Sequence, residues 1–119
     1  MSDCLFCRMI TGEIPADVVL ETDRVFAFRD INPQAPTHVL VIPKAHYPNA
    51  AALAAADAGL LGEVVAGAQA VALEEGLVSD GSSEPGYRLV TNTGPQAGQS
   101  VFHMHVHLLG GRRMEWPPG

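Results

Sequence analysis

The stretch "SVFHMHVHLL", residues 100–109, constrains the fold more than any other part of the chain. His103, His105 and His107 alternate with Met104, Val106 and Leu108. A period of two marks a strand with one apolar face, so the histidines are expected to project together and the apolar residues to enter a core. Three readings of the histidine face then stand: a solvated face, a three-histidine metal site, or a catalytic strand. Three histidines in register beside an apolar face weigh against simple solvation. Alternate positions lie about 6.6 Å apart, from which imidazoles can converge on one ion. That metal reading leaves Cys4, Cys7 and His46 without roles, and it does not explain the adjoining "GQS". There Gly98 permits close backbone approach, successive amides can form an anion-binding nest, and Ser100 adds a hydroxyl donor. An anion site just upstream of the histidines points to phosphate chemistry.

The order of elements reads as α+β with a mainly antiparallel sheet. A short helix through "CLFCRMI", capped by Ser2 or Asp3 and stopped at Gly12, sets Cys4 and Cys7 on one face as i and i+3. "DVVLETDRVFAFRD" reads as two strands turning at Thr22 and Asp23, and "HVLVIP" as a third, after a loop marked by Pro33 and Pro36. One main helix is expected over residues 57–75, where Leu60, Leu61, Val64, Ala68 and Val71 recur at helical spacing before Gly76. Gly59, Gly62 and Gly67 lower its propensity, so tertiary packing must hold it. A polar loop over 78–86, a strand over 87–92, a second loop and the long histidine strand complete the sheet. The tail "GGRRMEWPPG" holds too much Gly and Pro for a regular element. With no repeat and no boundary, residues 1–119 read as one domain.

Composition narrows the function. Hydrophobic residues make up 47% and charged residues 17%, which is globular rather than disordered. No apolar run reaches the roughly 18–20 residues of a membrane span, and the first residues lack the pattern of a secretory signal. A cytoplasmic protein with no membrane partner is the expectation. The net charge of −6 argues against sequence-independent binding to nucleic acid, which needs many phosphate-neutralising cations. Both cysteines fall in one Cys-x-x-Cys, Cys4 and Cys7, which suits a redox pair or half of a zinc site. Its position near the N-terminus, with no strand before it, favours zinc.

"HMHVHLL", with "DINPQAPTHVLVIPKAH" upstream and "GGRRMEWPPG" downstream, resembles the HINT branch of the histidine-triad (HIT) nucleotide-binding family. The similarity covers most of residues 4–48 and 87–119. The resemblance implies a HIT-like fold: a mainly antiparallel five-stranded sheet, one main helix and a short N-terminal helix. It also implies a hydrolase that binds purine nucleotides, cleaves 5′-phosphoramidates at P–N, and forms a nucleotidyl-histidine on the middle histidine, here His105. His107 and His38 match the supporting histidines, and Ser100 is the candidate for a hydrogen bond to the leaving group. Phe6, Phe28, Ile31 and Leu40 match the walls of the base site and Asp30 the ribose contact. Asn92, Gly98, Gln99, Ser100 and Val101 match the phosphate side. Cys4, Cys7, His46 and His103 resemble the ligands of a structural zinc. A homodimer through the main helix and the strand at 87–92 is implied as well, with Trp116 reaching towards the partner's site. A dinucleoside polyphosphate hydrolase, or a nucleotide-binding module with incidental catalysis, remains the alternative.

Overall fold

The computed structural model describes residues 3–78 and 85–119. Ser2, one of the expected helix caps, and residues 79–84 of the expected polar loop lie outside the described residues. The elements in order are α1 (Leu5–Ile10), β1 (Val18–Glu21), β2 (Val25–Arg29), β3 (Thr37–Pro43), α2 (Ala50–Ala56), α3 (Ala58–Glu74), β4 (Tyr87–Val90) and β5 (Val106–Gly110). The five strands form one antiparallel sheet in the order β1-β2-β3-β5-β4. This is the α+β architecture that the residue pattern implied.

β3 is central and buried along its whole length, so both of its faces pack against other parts of the chain. Val39 and Val41 join Val25, Ala27, Val106 and Leu108 in the core beneath α2 and α3. Leu40 and Ile42 join Phe26 and Phe28 on the opposite face, where Phe6 of α1 covers them. The period of two therefore divides the strands between two cores. α3 buries Leu60, Val64, Gly67, Ala68, Val71 and Ala72 against the sheet. Gly67 is the point of closest approach: a Cβ there would stand 3.1 Å from Val25 Cγ1. Glycine lowers helix propensity at that position and in exchange lets the helix settle on β2.

The structure corrects several sequence expectations. The cap of α1 is Cys4, not Asp3, and its Sγ accepts from the Cys7 amide at 3.4 Å. A separate helix, α2, precedes the main one. It is capped by Asn49, whose side chain accepts from the Ala52 amide at 2.9 Å. Asp57 ends α2 and caps α3, accepting from the Leu60 amide at 3.0 Å. β4 stops at Val90, which leaves Asn92 in a loop. Most consequentially, the strand expected over residues 100–109 is only β5, Val106–Gly110. His103 and His105 precede it, and residues 103–106 are all buried instead of alternating. A hydrogen bond from the Met104 amide to the Tyr47 carbonyl at 2.6 Å draws this segment away from the sheet.

Candidate active site

The break in the histidine strand sends the three rings to two different places. His107 is on β5 and His38 on β3, on the same face of adjacent strands, with His38 Nε2 and His107 Nδ1 2.9 Å apart. His38 Nδ1 accepts the Gln34 backbone N–H at 3.0 Å. An accepting Nδ1 forces the proton of neutral His38 onto Nε2, so Nε2–H donates to His107 Nδ1. His107 must then carry its own proton on Nε2. Burial holds His107 down at about 4, and the neighbouring His105 and His38 rings push the same way. His38 is also lowered by burial, against the pull of Asp30, whose Oδ2 stands 3.4 Å from Nε2. The pair is therefore neutral near pH 7 and presents one N–H donor from His107. Asp30, His38 and His107 are close enough to hold a metal ion, but with Nε2 protonated and Nδ1 engaged, neutral His38 offers no free lone pair.

His105 is fixed by its own neighbourhood. Its Nδ1 is 2.7 Å from the His103 carbonyl, which can only accept, so the neutral ring carries its proton on Nδ1 and its lone pair on Nε2. The Thr91 hydroxyl donates to the His105 carbonyl at 2.8 Å and holds the backbone from the β4 side. His105 and His107 line one end of a cleft of about 200 Å³, together with Ser100 and Val101. Phe6, Phe28 and Leu40 form its apolar wall, with Asp30 and the exposed Ile31 at its rim. The cleft thus joins an apolar slot, a carboxylate, a hydroxyl, an N–H donor and an unprotonated ring nitrogen. That set suits an aromatic base, a ribose and a phosphate.

The third histidine faces elsewhere. His103 is fully buried, and its Nε2 lies 2.8 Å from the Pro43 carbonyl, which places the proton there and the lone pair on Nδ1. Burial pushes this ring down to about 4. His103 Nδ1 stands 3.4 Å from Cys4 Sγ, 3.5 Å from Cys7 Sγ and 3.1 Å from His46 Nδ1, and His46 Nδ1 is 3.5 Å from Cys7 Sγ. All four donor atoms lie within 4.8 Å of one another. A zinc tetrahedron built from ordinary Zn–N and Zn–S bonds has edges of about 3.3 Å between nitrogens and about 3.6 Å between nitrogen and sulfur. The Cys2His2 group fits that figure, and the Pro43 carbonyl fixes the tautomer a ligand needs.

The HIT domain model matches residues 11–114. The chain belongs to the HIT family. It is 51% identical over 121 residues to the 14 kDa zinc-binding protein of Zea mays, covering 99% of this chain and 89% of that protein. It is 47% identical over 121 residues to adenylylsulfatase HINT1 of Arabidopsis thaliana, covering 99% and 78%. Among solved structures, a HIT family hydrolase from Legionella pneumophila superposes with a TM-score of 0.88 at 50% identity, covering 98% of this chain and 100% of that one.

Most of the HIT-type site residues named from the sequence line the one cleft, but not all of them. The Gln99 side chain is buried and turned inward, accepting from the Gly94 amide at 2.9 Å and donating to the Pro48 carbonyl at 2.6 Å and the Val101 carbonyl at 3.1 Å. It braces the loop rather than facing the cleft. The amides of Gly98 and Gln99 are taken up by the carbonyls of Pro95 and Gly94. These two amides are therefore taken up within the turn, which Gly98 serves at φ +93°. Asn92 lies in its loop outside the cleft lining. Leu5 and Met9 line the cleft and were missed. Their signal was present, since both share a face of α1 at i and i+4.

Proposed function

We propose that this HIT protein hydrolyses purine nucleoside 5′-phosphoramidates at the P–N bond through a nucleotidyl-histidine on His105. The observation that carries this reading is the 2.7 Å hydrogen bond between His105 Nδ1–H and the His103 carbonyl, which selects the tautomer with its lone pair on Nε2. The base enters between Phe6, Phe28 and Leu40, and Asp30 accepts from the ribose hydroxyls. His107 Nε2–H donates to a non-bridging phosphate oxygen. His105 Nε2 gives its electron pair to the α-phosphorus, and the P–N pair leaves with the amine. That nitrogen takes its proton from water through the Ser100 hydroxyl. The positive charge now on the His105 ring is shared with the His103 carbonyl through Nδ1–H. Water then attacks phosphorus, the P–Nε2 pair returns to His105, and the surplus proton passes to solvent. The sum is phosphoramidate plus water giving nucleoside monophosphate plus amine.

The same attack serves other leaving groups. The name of the Arabidopsis relative, an adenylylsulfatase, supports a second reading, cleavage of adenylyl sulfate with sulfate departing. Dinucleoside polyphosphates form a third class. Turnover of adenosine and guanosine phosphoramidates, adenylyl sulfate and diadenosine polyphosphates, measured side by side, separates them. The phosphoramidates are expected to give the highest kcat/KM. His105→Asn should retain AMP binding and lose turnover by orders of magnitude. Turnover equal to wild type would refute the nucleophile.

The reading includes a zinc held by Cys4, Cys7, His46 and His103, supported by the donor geometry and by the name of the maize relative. Bound there, zinc would be structural and would staple α1 to the sheet. Metal analysis of wild type beside Cys4→Ser should find about one zinc per chain in the first and far less in the second. Near-zero zinc in both would sink the assignment. A cytoplasmic homodimer completes the proposal.

A further inference from the structure

His103 belongs to both halves of the site at once. Its Nδ1 is one corner of the group formed with Cys4, Cys7 and His46. Its backbone carbonyl accepts the 2.7 Å bond that selects the His105 tautomer. Between these two atoms the residue has little freedom, because Nε2–H is tied to the Pro43 carbonyl at 2.8 Å in a fully buried position.

A second link runs through α1. Phe6 lies between Cys4 and Cys7, and its ring stands edge-on to His103 and to His105, with centroids 5.9 Å and 5.2 Å apart. The same ring lines the cleft. α1 has 6 residues, and Phe6 is its one buried residue. A helix that short has no stability of its own, so its seat depends on Phe6 and on what holds the two thiols.

We infer that metal occupancy and nucleotide binding are coupled in this protein, with His103 and Phe6 as the positioning residues that carry the coupling. The inference rests on the zinc and nucleotide assignments proposed above. Ligation of Cys4 and Cys7 pins α1 and seats Phe6 against both rings. Ligation of His103 Nδ1 holds its carbonyl towards His105 Nδ1–H. A nucleotide pressed against Phe6 and His105 stabilises the same arrangement from the other side. Linkage makes the effect reciprocal: metal tightens nucleotide by the factor by which nucleotide tightens metal.

The test uses the wild-type protein, zinc-loaded and chelator-stripped, with AMP as the probe. Stripping should weaken the AMP Kd by about fivefold or more, the lower end of ordinary coupling. Saturating AMP should slow zinc release to a chelator by a comparable factor. Ring nitrogen NMR should show His105 protonated on Nδ1 alone in the loaded protein and as a tautomer mixture in the stripped one. Phe6→Leu should still bind zinc but show a smaller AMP effect on its release. If the stripped protein loses its fold by circular dichroism, the zinc-release measurement decides on folded protein alone. AMP binding and zinc release that are independent to within twofold would overturn the coupling. Failure of the loaded protein to bind AMP at all would instead overturn the nucleotide reading on which it rests.

Discussion

His38 and His107 act as one device because a backbone amide sets the direction of their protons. Gln34 N–H occupies His38 Nδ1, His38 Nε2–H occupies His107 Nδ1, and His107 Nε2–H is what remains for the cleft. The arrangement works only while His107 is neutral, since protonation would set an N–H against the N–H of His38. Its ring is held at about 4, below the ordinary 6.5, mainly by burial. The unfolded chain therefore takes up this proton first. The contribution to stability is complete above 6.5, declines as pH falls from there, and levels off below about 4. Ring nitrogen NMR should accordingly find His107 neutral from pH 8 to about 5.5. A midpoint near 6.5 would mean the ring is solvated and the relay broken.

The elements show which features the sequence displays and which it hides. β2 and β3 were legible as short runs of β-branched and aromatic residues between turn signals, and β5 because Val106 and Leu108 flank His107 at a period of two. The short histidine run failed as a strand because alternation in sequence does not guarantee alternation in space. The Met104 amide bonds to Tyr47, and both His103 and Met104 are buried. The residues that come together were still readable, because the motif pointed to histidines that the fold gathers at one cleft and one Cys/His group. Their proton positions depend on the carbonyls of His103 and Pro43 and the amide of Gln34, which no side-chain pattern encodes. α2 was hidden for another reason. A run of alanines has no apolar period, and its single large residue, Leu53, gives no repeat to detect. Leu53 is nonetheless fully buried in the main core. Leu53→Ala should cost about 2–5 kcal/mol in urea denaturation, the range for a core leucine. A loss under about 1 kcal/mol would mean that α2 contributes little to the core.

At the scale of the molecule, the sheet has two edges that differ in how they are finished. β1 is broken by an irregularity between Val18 and Leu20 and ends in Glu21, which pairs with Lys44 at 2.8 Å. Such features blunt an edge against further pairing. β4 is regular along its four residues and carries the exposed Leu89. Val65 and Leu73 of α3 are exposed as well. The C-terminal tail is tied to β4 by Arg88, which donates to the Glu115 carbonyl at 2.9 Å, and it carries Trp116, 82% exposed. An open strand edge, two apolar side chains on a helix and an exposed tryptophan are what a self-complementary interface would use. These features support the proposed homodimer, and they make β4 the element to disrupt. Sedimentation should find wild type as a dimer and Leu89→Glu as a monomer, because a carboxylate placed on the edge strand would have to be buried unpaired in such an interface. The monomer should still bind AMP, since Phe6, Phe28, Asp30, Leu40, His105 and His107 already form the cleft within a single chain. Turnover should fall only for substrates with large leaving groups, the ones Trp116 of a second copy would touch. A wild-type protein that sediments as a monomer at micromolar concentration would remove both the interface and that role for Trp116.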